Sequence, residues 1–375
     1  MTATGAAASA GSVRYDRARE SATVLGIYLA SIAVALMVAA LVLFATGGSW
    51  TSVLSALLDG SVRGPGRWGT TFGVGIPLLL VALGTIINSR AGLVNLGQEG
   101  QLFVGAALGT YVATHIGVGG PGVLFLIMLA GVAGGAIWAG IAAVLRYQRR
   151  MPEVLTTLLL VFVAAQAVGY GLKNKNLLLD PTPDQANRNL ISERLRPDTR
   201  IPRLDWFGND FPMTAFIALL LAILVTLVLR WTIVGFRLQM LGRGPRTAHR
   251  AGVSEARYGG LALVISGAFC GLAGAFMLTG GDFGNYRLTP NYPVNIGWEG
   301  LLVALVGRNH PLVVIPVAFV FAALRTGSGF LAATGVDRDI TKVVQALLVL
   351  ALLVPPAILF VRDRRRALAA AAERV

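Results

Sequence analysis

Reactive chemistry is scarce in this chain. It has one cysteine and three histidines in 375 residues. The lone Cys270, inside an apolar run, excludes an intrachain disulfide framework and a cysteine-rich metal site. Its plain reading is a small buried packing residue. His115, His249 and His310 lie far apart and give no metal-ligand spacing, so no metal is expected. No Gly-x-x-x-x-Gly-Lys-Ser/Thr loop occurs, so the chain is not expected to hydrolyse ATP by itself. His-Glu-x-x-His and Gly-x-Ser-x-Gly are absent as well, and no nucleophile–base pair stands out, which disfavours an enzyme. Charge is also short: 13% of residues are charged against 55% hydrophobic. A soluble domain of this size needs more charge than that to cover its surface.

What is present is apolar sequence in runs approaching the ~20 residues that cross a bilayer core. The pattern predicts an all-α polytopic membrane protein with about ten transmembrane helices, in contact with membrane lipid. Five spans are expected over 24–45, 70–88, the first repeat copy to His115, 122–145 and 152–172. The other five are expected over 213–230, 258–279, the second copy to Asn309, 312–325 and 341–361. The run 24–45 is too long for a signal-peptide core of ~7–15 residues and reads as a retained span. The net charge of +14 does not point to nucleic acid, because the basic residues cluster between apolar segments. Orientation by charge puts a tail 1–23, a loop 231–257 and a basic tail 362–375 in the cytoplasm, around a transmembrane domain 24–361. The polar segment 173–211, with seven basic residues between Lys173 and Arg203, then falls outside. Long loops translocate largely regardless of charge.

One seven-residue pattern occurs twice. Val94-Asn95-Leu96-Gly97-Gln98-Glu99-Gly100 recurs as Val294-Asn295-Ile296-Gly297-Trp298-Glu299-Gly300. Helix-weakening glycines and polar groups at matching places of two halves mark the pathway in transporters built from repeats. Five spans separate the copies, and an odd number makes them enter the membrane from opposite sides. The expected architecture is an inverted repeat of spans 2–5 and 7–10.

Irregular polar backbone at membrane depth must be buried in protein or line a wet cavity. Asn95, Gln98, Glu99 and Gln101 therefore line or shape a path, or else Glu99 pairs with Arg90 or caps the third helix. In the second copy, Pro290 and Pro293 stop any helix just before Asn295, and Glu299 suits the positive end of the next one. Trp298 and Tyr292 are of a kind to stack on a flat or sugar-like solute, or to sit in an interfacial belt. In the basic loop, Pro245 and Gly252 take the first-helical and C′ positions of a short helix, Pro245 to Ala251. Arg246, His249 and Arg250 make it a basic knob for a partner, or a solvated loop that only sets topology.

Four segments together resemble the permease subunits of bacterial ABC importers for nucleosides, within the sugar and branched-chain amino-acid permease family. They are Arg90 through Gln101, Pro152-Glu153-Val154-Leu155-Thr156-Thr157, Gly235 through Gly252, and Ala304-Leu305-Val306-Gly307-Arg308-Asn309-His310-Pro311. The resemblance covers about 70 to 361. The chain departs from it at Val161, where relatives usually carry Asn, and around Trp298-Glu299, where they usually carry a smaller acid or polar residue. The resemblance implies a multi-pass protein of the bacterial cytoplasmic membrane with both termini inside. It further implies a second, related permease chain, two ATPase subunits that carry the ATP, and an extracytoplasmic solute-binding protein. The helix at Pro245–Gly252 then becomes the coupling element, and alternating access the mechanism. A simple-sugar permease, an ion-coupled secondary transporter titrating Glu99 and Glu299, and a membrane scaffold without transport are the other expectations.

Overall fold

A computed structural model of the chain describes residues 50–181, 190–206, 208–290 and 295–331, with scattered helical positions in 23–41 and 346–365. The expected first and tenth spans, both tails, and Asn291 to Val294 lie largely or wholly outside the described residues. The chain divides into two compact units, Leu58–Thr326 and Met1–Leu57 with Gly327–Val375. The larger unit carries both described repeat segments.

Helix α1 (Trp50–Leu58) runs into a π-helical turn, Asp59–Arg63. Then follow α2 (Arg67–Arg90), α3 (Gln98–His115), α4 (Pro121–Arg149) and α5 (Glu153–Gly171). A hairpin of β1 (Arg203–Trp206) and β2 (Asn209–Pro212) leads to α6 (Thr214–Trp231), α7 (Ile233–Arg243) and α8 (Pro245–Arg250). Last come α9 (Glu255–Gly280), α10 (Ile296–Val306) and α11 (Val314–Leu331). Local chemistry sets several boundaries. Pro121 opens α4 at a position where no N–H is needed, and the Ser254 hydroxyl caps α9 by accepting from Arg257 N.

Among the described residues, α2, α4, α5, α6 and α9 are long and apolar enough to cross a membrane. Burial sorts them. The most apolar stretch is 78% buried in α2 and 67% in α9, but 28% in α4 and α5. The outer helices turn large apolar side chains such as Phe125, Ile137, Phe162 and Leu220 outward, as a lipid-facing surface requires. The seam by which α4 packs on α9 is built on small residues. Gly131 and Gly135 of α4 meet Gly267 and Gly271 of α9 backbone to backbone, with the Gly-x-x-x-Gly spacing on both helices.

The two ends of the bundle differ. At one end, residues 190–202 form a strap over 279–288. Ser192 N donates to Leu288 O at 3.0 Å, Leu195 N to Tyr286 O at 3.0 Å and Ile201 N to Thr279 O at 3.1 Å. The Arg200 guanidinium lies 4.2 Å from the Tyr286 ring centre, and Arg203 pairs with Asp282 at 2.8 Å. Burial lifts the Asp282 carboxyl above the usual carboxylate range, with Arg203 opposing the shift. The hairpin on this strap adds a two-stranded antiparallel sheet to the all-helical expectation. At the other end, Arg146 joins three helices, bonding Glu153 at the start of α5 and Glu255 at the start of α9. The 231–257 stretch at this end holds two helices, α7 and α8, where one short helix is expected.

Candidate functional site

Helix α2 ends at Arg90, and seven residues, Ala91 to Gly97, run without helix before α3 begins. Asn95 organises this elbow. Its Oδ1 accepts from Gly97 N at 2.9 Å, standing in for a helix cap, and from Gln101 Nε2 at 3.2 Å. Its Nδ2 donates to Gln101 Oε1 at 2.9 Å and to Ser266 Oγ of α9 at 3.1 Å. Leu96 N donates to Thr157 Oγ1 of α5, and Gln98 Nε2 to Thr85 Oγ1 of α2. Asn95, Gln98, Glu99 and Gln101 are all buried. The first copy thus ties together α2, α3, α5 and α9.

Glu99 reaches the other copy. Its Oε1 accepts from Asn295 N at 2.9 Å and its Oε2 from Gly297 N at 2.6 Å. Arg90 is not its partner; Arg90 Nη2 instead donates to Asn309 O at 3.2 Å. A carboxylate on the first N–H groups of a helix satisfies orphan donors and meets the positive dipole end. Glu99 therefore caps α10 rather than its own helix. Asn295 holds φ at 84°, a left-handed conformation that Asn tolerates better than most residues. A side chain at Gly297 would meet Glu99 N at 2.6 Å, so this close approach needs glycine. Glu299 is also buried and pairs with Arg325 of α11 at 2.6 Å, while its Oε2 has no hydrogen-bond partner among the described residues. Trp298 beside it is 38% exposed.

The N-termini of α3 and α10 consequently converge, and the two helices leave the meeting point for different ends. Past α3, Gly117 O accepts from Arg196 of the strap. Past α10, Asn309 O takes the Arg90 guanidinium at the end that holds α7 and α8. Helix α10 has 11 residues, about 16 Å at ~1.5 Å per residue, roughly half of a hydrocarbon core.

Elsewhere, Pro245 opens α8 and Gly252 follows it with φ 78°. Arg246, His249, Arg250 and Gly252 are exposed, while Ala248 is buried and holds the helix down. These residues stand apart from the Glu99 cluster. The residues that sequence reasoning missed are the distant partners Thr85, Thr157, Ser266 and Arg325. Each is a polar residue inside an apolar run, and Thr157 also closes the resembling segment that begins at Pro152.

Residues 69–353 match the family described as branched-chain amino acid transport system / permease component. The chain is similar to a glucose ABC transporter permease of Haloferax volcanii, 31% identical over 290 residues, 74% of this chain and 73% of the relative. It is similar to a nucleoside ABC transporter permease of Lactococcus lactis, 28% identical over 301 residues, 79% and 80% of the two chains. A guanosine ABC transporter permease of Bacillus subtilis is 28% identical over 339 residues, 90% and 95% of the two chains, and a second guanosine permease of that organism also matches. Apolar helices turned outward, a polar elbow buried among them and a family match over most of the length agree: the chain belongs to the branched-chain amino acid transport system permease family.

Proposed function

We infer that this chain is the membrane permease subunit of an ATP-driven importer for a nucleoside or a related sugar-containing solute. The observation that carries the reading is the meeting of α3 and α10. Two polar helix N-termini, joined by Glu99 and departing towards different ends, are what an inverted repeat of spans 2–5 and 7–10 predicts at its solute path. Asn95, Gln98, Glu99, Gln101, Asn295, Trp298 and Glu299 border that path. The solute class rests on the relatives, which include nucleoside, guanosine and glucose permeases.

The transport cycle is alternating access across about ten spans. This chain binds no cofactor, and ATP is bound by separate ATPase subunits. Those subunits engage α8 through Pro245, Arg246, His249, Arg250 and Gly252, a basic helix whose exposed face favours docking. A second, related permease completes the membrane part, as the two guanosine permeases of one organism suggest. A soluble binding protein delivers solute at the strap end, and both termini lie in the cytoplasm of a bacterium.

Uptake of radiolabelled guanosine, uridine and glucose into proteoliposomes tests this reading. Accumulation that requires ATP and the co-purified partner chains is the expected result. Uptake by this chain alone under an ion gradient would overturn it in favour of the ion-coupled carrier.

A further inference from the structure

The elbow that carries the first repeat copy is also the place where the α7–α8 segment touches the site. Gly242 lies in the last turn of α7, three residues before α8 opens at Pro245. A side chain at Gly242 would collide with Arg90 O and come within 2.9 Å of Gly92 N. A side chain at Gly92 would meet Gly242 Cα at 3.0 Å, and Gly92 itself has φ 74°. The two backbones therefore touch with no side chain between them. From Gly92 the chain needs only three residues to reach Asn95.

Arg90 at the same point holds the other copy. Its guanidinium donates to Asn309 O, three residues past α10, where Arg308 and Asn309 both adopt φ near 50°, at 52° and 53°. Two further contacts fix the elbow from below. Leu93 is buried, with its Cδ1 3.4 Å from where a side chain at Gly259 of α9 would begin. Leu93 N also donates to Asn88 O at 3.0 Å. The amide of Asn88 is buried one turn earlier and has no partner among the described residues.

We propose that Gly242, Gly92 and Arg90 form the joint through which movement of α8 reaches both repeat copies. This rests on the permease reading and adds the residues of transmission to it. A shift of α7 and α8 pushes on the Arg90–Gly92 backbone. The push passes along Asn95 to Glu99 and the start of α10, and through Arg90 to the end of α10. Both ends of the short helix are then driven from one contact. Direct backbone contact suits this role because there is no flexible side chain to absorb the displacement.

The test uses the complete complex, purified through a tag on this chain, with ATP hydrolysis and uptake of radiolabelled guanosine, uridine and glucose measured on the same preparation. Gly242→Ala wedges the joint apart without touching the exposed face of α8. The expected result is a complex that assembles and hydrolyses ATP but moves about tenfold less solute per ATP, within the range of allosteric couplings. An unchanged ratio of solute to ATP in Gly242→Ala overturns the joint. Where that variant does not assemble, Arg90→Ala decides, since it removes only the tether to Asn309. A fall of about fivefold in solute per ATP supports the joint, and an unchanged ratio sinks it. Absence of ATP-driven uptake by the unmodified complex overturns the permease reading itself, and the joint with it.

Discussion

The two repeat copies differ only at Leu96 against Ile296 and Gln98 against Trp298, yet they are held in different ways. The first is braced by its own amides. Asn95 and Gln101 bond each other, Asn95 caps Gly97, and Gln98 reaches back to α2. The second borrows its support. Its N–H groups are satisfied by Glu99 of the first copy, and its acid by Arg325 of a later helix. Near-identical sequence therefore yields one copy braced by its own side chains and one that leans on it. The carboxylate between them makes the second copy's position depend on the first.

Removing that carboxylate should break the comparison most severely. Glu99→Ala leaves two buried donors orphaned, a loss of about 4 kcal/mol that thermal unfolding of the detergent-solubilised protein would register. Uptake should be lost with it. Gly297→Ala attacks the same contact by crowding and should cost about 3 kcal/mol, with the Asn95–Gln101 network unaffected. Asn95→Ala strikes the braced copy rather than the one that leans on it. It should cost about 2 kcal/mol, since both the cap and the Ser266 bond are lost, and unfolding should become less cooperative around α3. The smallest effect on stability sharpens the contrast between site and docking face. Arg246→Ala on α8 should stay within about 0.5 kcal/mol of the unmodified protein, yet reduce the ATPase that co-purifies with it.

The legible parts of this fold were those governed by local rules. Pro245 and Gly252 bracket a short helix whatever surrounds them, and α8 forms where that pair predicts it, one residue shorter. The apolar runs for α2, α4, α5, α6 and α9 were visible for the same reason, since lipid demands continuous apolar sequence. Helix α7 was hidden by its own charges. Arg237 and Arg243 read as loop, although Leu238 and Leu241 lie on a buried face and Thr232 caps the start. The hairpin was hidden because four-residue strands carry too little alternation; Gly208 N donates to Asp205 Oδ1 near its turn. The Glu99 contact was beyond local reasoning altogether. Arg90 is the nearest cation in sequence, but the groups that satisfy the acid are backbone amides almost two hundred positions away.

The glycine seam between α4 and α9 has a mechanical meaning. A contact made of glycine backbone and alanine methyl groups has no rotamers to exchange and no groove in which one ridge can hop past another. Such a pair behaves as a welded beam: it tilts as a whole or stays where it is. In the proposed cycle, movement is then expected at the margins of that beam, where Arg146 ties α4 and α9 to α5 by charge and where the strap holds the far tip of α9. A seam with little chemistry of its own would thus set which of the described helices the proposed cycle leaves free to move.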